Sequence, residues 1–286
     1  MNQELVNLEE LGLSEAELFA PYDNSEADSE KITAPRYSYW KSVFRVFFRN
    51  KLNIVILAIL AVLVMFIYIY PTVIGYDPEV DPTKYLLTGG KHLTPSQAIA
   101  EHGFSLKWIL GSGASGESTF DSIWYGSRIS LTLALICAAV NLFVGVVIGA
   151  IWGFSKKVDV VMTEVYNIIG NVPYILYISV LVMILTASFW TMVFAMTITG
   201  WLGIAYFIRT QVVIIRDREY NLASRCLGTP ITRIAMRNIL PFMTSVIVTL
   251  AATEIPSYIS SEVFLSYIGM GLKDRSLGKL IEAAQN

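Results

Sequence analysis

Apolar residues along this chain gather into long uninterrupted runs, and five of those runs have the length of a membrane crossing. Leu52–Tyr70 carries no charge over nineteen residues and is followed by Pro71; about twenty apolar residues cross a bilayer as a helix. The second run extends from Ile129 to about Phe154. The third, Val158 to about Ala187, is long enough to project beyond the bilayer, and Pro173 inside it predicts a kink. The fourth is Phe189–Ile208, and the fifth begins at Pro241 and reaches about Ile268. Two polar stretches separate these runs, residues 71–128 and the arginine-rich 209–240. The pattern predicts an all-α, polytopic helical membrane protein with five visible spans.

Shorter patterns refine this outline. Within residues 36–51, Trp40, Phe44, Phe47 and Phe48 recur at helical spacing, with Lys41, Arg45 and Arg49 largely on the other side. That segment reads as an interfacial amphipathic helix on an anionic leaflet, or equally as a basic flank that orients the next span. In the polar stretch, Thr94 as N-cap, Pro95 in the first turn, Gln97 as capping-box partner and Gly103 as stop predict a short helix over 95–102.

Composition narrows the function classes. The 286 residues are 54% hydrophobic and 15% charged, below the roughly 25% charged of a soluble domain. Net charge is −2 and there are two cysteines, which argues against a nucleic-acid binder and a disulfide-framed module. The charge is unevenly placed. Residues 1–30 hold nine acids and no Lys or Arg, so residues 1–35 are expected to form an acidic, disordered arm; a secretory signal needs the opposite start. Basic residues set the orientation. Five sit shortly before the first run (Arg36, Lys41, Arg45, Arg49, Lys51), two follow the second (Lys156, Lys157), and six lie in 209–240. Only Lys84, Lys91 and Lys107 lie between the first run and Gly126. The N-terminus and 209–240 are therefore expected in the cytoplasm, with 71–128 outside.

Candidate chemistry is sparse. Gly111–Gly116 is glycine-rich but lacks the Lys-Ser/Thr ending of a phosphate loop, and reads as a flexible turn. His92 and His102 make no metal spacing, and Cys137 and Cys226 are expected to stay reduced. Gly145, Gly149 and Gly153 form a smooth stripe suited to close helix approach, within the chain or at a dimer interface. Among polar groups in or near the runs, Glu254 and Asn171 are candidates for lining a pathway. Glu254 stands two residues before Pro256, where a bend and a freed carbonyl can open a polar surface; a carboxyl bonded to a neighbouring helix is the alternative. Glu262 and Glu164 are expected to reach the interfaces.

The most informative segment is Arg218–Pro241. Tyr220, Ala223 and Leu227 share a helix face, Gly228 can supply a left-handed stop, and Thr229 with Pro230 can start a second helix. A basic hairpin between two spans suits docking onto another protein. This segment resembles the EAA loop of ABC importer membrane subunits (Glu-Ala-Ala, three residues, Gly, nine residues, Ile, one residue, Leu-Pro). Ala223, Ser224, Gly228 and Leu240-Pro241 fall in register, whereas Leu222 and Asn238 occupy the Glu and Ile positions. The surrounding words are closer to the oligopeptide/dipeptide branch, as are Leu110-Gly111…Tyr125-Gly126-Ser127-Arg128 and Glu262–Gly269. From about residue 36 onward the chain resembles the second permease subunit of that branch.

The resemblance implies a transport subunit, not an enzyme, in a bacterial cell membrane. It implies a heterodimer with a second permease, two cytoplasmic ATPases that bind ATP and magnesium while this chain binds no cofactor, an extracytoplasmic binding protein and a peptide substrate; nucleic acid has no place in it. Glu219, Tyr220, Ala223, Ser224, Arg225, Leu227 and Gly228 would contact an ATPase. The family continues into a sixth span, and this chain, ending at Asn286, is expected to lack it. The rival classes are an ion-coupled secondary transporter or channel with Glu254 as coupling acid, an intramembrane enzyme, and an inactive truncated permease.

Overall fold

A computed structural model describes residues 39–77 and 91–284. The acidic arm expected over 1–35 lies outside the described residues. The chain divides into two units, residues 1–58 and 59–286.

In the first unit, α1 (Tyr39–Arg49) is followed after one residue by the start of α2 (Lys51–Ile74). The corner is fixed locally: Asn50 Oδ1 accepts from the Leu52 amide at 3.0 Å, and Asn53 Nδ2 donates to the Phe47 carbonyl at 3.3 Å. Trp40, Phe44 and Phe48 follow one another along one face of α1, ring against ring, at 6.1 and 6.3 Å. All three are exposed within this chain.

The second unit holds the remaining helices: α3 (Pro95–His102), α4 (Thr119–Phe154), α5 (Lys156–Gly170), α6 (Tyr174–Leu185), α7 (Phe189–Thr197), α8 (Trp201–Arg216), α9 (Glu219–Cys226), α10 (Ile231–Ile234), α11 (Thr244–Tyr267) and α12 (Leu277–Ala283). No strand occurs among the described residues. Three helical stretches are long and apolar enough to cross a membrane: α2, α4, and α7 with α8. Two bent pairs bring the number to as many as five if each crosses as one span: α5 with α6, turned by 75°, and residues 231–239 with α11, turned by 72°.

Several boundaries differ from the sequence expectation. Helix α2 does not stop at Pro71 but continues to Ile74. Its end is set by Gly75, at φ +64°, with the Tyr76 amide reaching back to the Pro71 carbonyl at 3.0 Å; a left-handed glycine closes a helix more decisively than a proline that costs one hydrogen bond. Helix α4 starts at Thr119, so residues 119–128 are helical rather than loop. Ser118 caps it by accepting from the Asp121 amide at 3.2 Å, and Asp121 sits in the first turn. At Pro173 the helix breaks: Gly170 ends α5, and the residue before a proline is driven out of the helical region. Helix α11, by contrast, passes through Pro256 intact, and the bend lies upstream. Helix α3 has the expected limits, with the Thr94 amide donating to Gln97 Oε1 at 3.1 Å and Gly103 at φ +81°. Gly111–Gly116 forms a turn, as expected, and it is tied at several points: Ser112 Oγ donates to the Lys91 carbonyl, the Gly113 amide donates to the Glu117 carbonyl, and Ser112 pairs with Ser118 across a short bridge.

Helix α4 is the axis of this unit. One core joins its middle (Leu133, Ala134, Cys137) to α6, α7 and α11; a second joins Leu142 and Val146 to Ile208 and Val212 of α8, to Ile234 of α10 and to Ile239 of the π-wound turn that follows it. In lipid, where burial from water drives nothing between helices, such contact depends on close fit. The glycine stripe supplies it against α8. A methyl group at Gly145 would lie 2.7 Å from Ile204 Cγ2, at Gly149 2.5 Å from the Ala205 carbonyl, and at Gly153 2.7 Å from Val212. The seam is internal to the chain.

Candidate functional site: a tyrosine-lined cavity and an exposed loop helix

The breaks in α5–α6 and α7–α8 face one another across a cavity of about 360 Å³. Its walls are the end of α5 (Tyr166, Gly170), the start of α6 (Pro173, Tyr174, Tyr177), the α7–α8 joint (Thr199, Gly200, Gly203) and one face of α11 (Glu254, Tyr258, Ser261). Among the described residues no Lys, Arg or His lines it, and Glu254 is its single acidic side chain. Irregular backbone at membrane depth is tolerated where it borders such a space and its polar groups find partners. They do here. The Met196 carbonyl, beside the α7–α8 joint, accepts from Asn141 Nδ2 at 3.2 Å and from the Tyr174 hydroxyl at 3.1 Å. Asn141 Nδ2 also donates to the Tyr258 hydroxyl at 2.6 Å. That leaves the Tyr258 proton free to turn toward Glu254, one helical turn earlier on the same helix. Thr199 and Tyr177 join by a hydroxyl–hydroxyl contact. Asn171 is exposed in an adjoining cleft with Tyr166, Asn167 and Gly170, its side chain bonded back to the Asn167 carbonyl at 2.6 Å.

Helix α8 connects this cavity to the arginine-rich end. It begins at the cavity wall and ends at Arg216, whose guanidinium donates to the Gly153 carbonyl at 2.7 Å, tying α8 to the end of α4. The same guanidinium holds Asp217 at 3.0 Å and keeps that carboxyl below its ordinary pKa. Helix α9 follows at once. Asn221, fully buried, fixes it by donating to the Ile215 carbonyl at 2.8 Å. The helix closes as the punctuation predicted: Gly228 has φ +79°, its amide reaches the Arg225 carbonyl at 2.9 Å, and the Thr229 amide reaches the Ser224 carbonyl at 3.1 Å. This pair of bonds is the Schellman closure. Thr229 does not cap the next helix; Pro230 occupies that position and Ile231 opens the helix.

The loop's side chains divide sharply. Ser224 bonds back to the Tyr220 carbonyl at 2.8 Å, and Arg225 is half-buried with Nε unpartnered among the described residues. Glu219, Tyr220, Ala223, Leu227 and Gly228 are exposed, Leu227 at 86%. Ile231 and Met236 are exposed beside them. Apolar side chains displayed on a helix held in place by buried polar bonds make a surface shaped for a partner.

Three polar groups escape a reading based on spacing. Glu262 does not reach an interface. It is fully buried, accepting from Ser130 at 2.9 Å, Ser266 at 3.0 Å and Ser276 at 2.5 Å. The Leu277 amide donates to Ser130 in turn, so the segment leading into α12 is locked onto α4 and α11. Asp159, at the start of α5, accepts from Arg209 and Trp152. Asp121 accepts from the Tyr70 hydroxyl at 2.8 Å. Glu164 is exposed, as expected for an interfacial acid, and both cysteines are free, Cys137 buried and Cys226 exposed.

Comparison with known proteins places this architecture. Residues 145–284 match the family described as binding-protein-dependent transport system inner membrane component. Residues 38–95 match the N-terminal TM domain of oligopeptide transport permease C. The oligopeptide transport system permease protein AmiD of Streptococcus pneumoniae is 46% identical over 255 residues, 88% of this chain and 80% of that protein. The oligopeptide transport system permease protein OppC of Bacillus subtilis is 34% identical over 89% of this chain and 79% of its own. The dipeptide transport system permease protein DppC of Bacillus subtilis is 32% identical over 87% and 73%. The chain therefore belongs to the inner membrane components of binding-protein-dependent transport systems, in their oligopeptide and dipeptide permease branch.

Proposed function

We propose that this chain forms half of the translocation pathway of an ATP-driven peptide importer in a bacterial cell membrane. A second permease completes the pathway, two cytoplasmic ATPases drive it, and an extracytoplasmic binding protein delivers the peptide. The N-terminus and α9 face the cytoplasm, in line with the excess of Lys and Arg there. The cavity bordered by Glu254 and the tyrosines is the part of the pathway contributed by this chain, with Asn171 at its edge. Helix α9 seats in a groove of an ATPase through Glu219, Tyr220, Ala223, Ser224, Arg225, Leu227 and Gly228. ATP and magnesium belong to the ATPases, and this chain hydrolyses nothing.

The observation that carries this reading is the continuity of α8 with α9. One end of α8 borders the cavity, and the other is pinned to an exposed helix by Asn221. Closure of an ATPase pair on α9 displaces α8, and with it a wall of the cavity, between two arrangements biased by nucleotide. Leu227→Asp tests the contact. Burying a leucine contributes about 1.5–3 kcal/mol, so its replacement by a charge is expected to strip the ATPases from a permease that still inserts, and to cut uptake in parallel. Unchanged ATPase retention and uptake would remove α9 from the interface.

A further inference from the structure

Helix α5 is held differently from every other wall of the cavity. Its continuation, α6, is anchored in the core by Ile178 and Val182; α5 itself has no fully buried residue. Its backbone packs mainly on α4. Its link to α8 is made by long side chains at two places. Arg209 donates from Nε to Asp159 Oδ1 at 2.8 Å and from Nη2 to Oδ2 at 2.9 Å, while Trp152 Nε1 donates to Oδ1 at 2.8 Å. Two turns further along α5, the Tyr166 ring lies flat on Tyr206, with centroids 4.4 Å apart and 8° between planes. The helices run antiparallel at these contacts: the later residue on α5 meets the earlier residue on α8.

Both links are reversible. The side chains of Arg209 and Asp159 are 24% and 30% exposed, so water can take over their hydrogen bonds when they separate. The position of the second link matters more. Tyr166 lines both the cavity and the adjoining cleft, so losing its stack on Tyr206 removes part of the wall. The break at Gly170–Pro173, where α5 turns 75° into the anchored α6, supplies a hinge of a few residues, of the kind that absorbs domain and gate motions. Gly170 has open space where a side chain would be.

We infer that α5 is a gate leaf of the cavity, hinged at Gly170–Pro173 and latched to α8 by Asp159–Arg209 and Tyr166–Tyr206. These four are positioning residues for transport. The inference rests on the reading of α8–α9 as the driven element: α8 carries the latch partners, and its displacement by α9 releases or engages them. A latch made of side chains lets α5 part from α8 while the glycine seam holds α8 on α4.

The test uses the whole importer, with both permeases, both ATPases and the binding protein, in sealed vesicles. In a Cys226→Ser background, Tyr166→Cys and Tyr206→Cys are combined and bridged with a short bifunctional thiosulfonate. Bridging is expected to lower peptide uptake by roughly tenfold or more, with recovery on adding reductant; either single cysteine is expected to be insensitive. The ATPases should stay bound throughout, which separates a failed latch from a failed α9 interface. Uptake unaffected by a bridge that has demonstrably formed, or failure of the pair to bridge in any nucleotide state, overturns the proposal. As a second measurement, Arg209→Ala should lower peptide moved per ATP hydrolysed, and the exchange Asp159→Arg with Arg209→Asp should restore most of it. Equal loss in the single variant and the exchange would reduce the pair to a structural role.

Discussion

Asn238 Nδ2 donates to Asn221 Oδ1 at 3.1 Å, across seventeen residues of the loop. Asn221 spends its own amide on the Ile215 carbonyl at the end of α8. The two asparagines therefore join three pieces: the end of α8, the first turn of α9, and the π-wound turn that leads back to the membrane. Asn238 occupies the position where the EAA pattern has Ile, so this departure has a local use. Asn238→Ile leaves a buried amide oxygen without its donor, at a cost of about 1–3 kcal/mol. The expected readout is faster amide exchange across residues 218–240 with protection in α4 unchanged. Uniform protection in both regions would show that the pair contributes nothing to holding α9.

Gly149 and Gly203 make a matched comparison on the α4–α8 pair. A methyl group at Gly149 would lie 2.5 Å from the Ala205 carbonyl, whereas one at Gly203 meets nothing within 4 Å. Backbone cannot move aside as a side chain can, so Gly149→Ala is expected to cost about 1–3 kcal/mol through overpacking. Gly203→Ala should be neutral or slightly stabilising. Thermal unfolding of the detergent-purified permease separates them, and equal midpoints would contradict the seam.

Glu262 holds three serine hydroxyls, and its removal orphans them together. Glu262→Ala is expected to destabilise by about 3 kcal/mol or more, since each buried unsatisfied group costs ~1–3 kcal/mol. The loss should appear first as proteolytic release of the segment from Gly271 onward, whose Ser276 and Leu277 bond to Glu262 and Ser130. Glu262→Gln retains one acceptor oxygen and should fall between. A wild-type cleavage pattern for the alanine variant would refute the lock.

Glu254 is the one acidic side chain lining the cavity among the described residues, and it plays no such structural part: it stands one turn before Tyr258, which Asn141 holds. Glu254→Gln is expected to leave assembly and thermal midpoint within about 0.5 kcal/mol of the parent while changing uptake. Normal uptake by the variant would take Glu254 out of the pathway.

What was legible in the sequence follows from the range of each signal. The apolar runs mark the three straight spans and the two bent pairs because lipid demands such runs locally. Gly228, Gly103 and the Thr94–Gln97 pair mark helix ends because a left-handed residue and a cap act within one turn. The extension of α2 past Pro71 and the start of α4 at Thr119 were hidden because both helices reach beyond their apolar runs into polar or proline-marked sequence. Thr229 and Pro230 show a smaller failure: both are good starters, and the Schellman closure at Gly228 uses the Thr229 amide, leaving Pro230 to begin the next helix. The polar pairings were out of reach. Glu262 meets Ser130 from 132 residues away and Asp159 meets Arg209 from 50, and no periodicity within one helix reports a partner on another.

The central claim is that α9 is the part of this permease an ATPase grips. Leu227→Cys, in the Cys226→Ser background, places a thiol on the exposed residue that caps the end of that helix. In the assembled importer, a short thiol-reactive photocrosslinker at this position is predicted to capture an ATPase subunit, with a yield that changes when ATP replaces the nucleotide-free state. Efficient labelling at this position with no ATPase captured in either state would contradict the account.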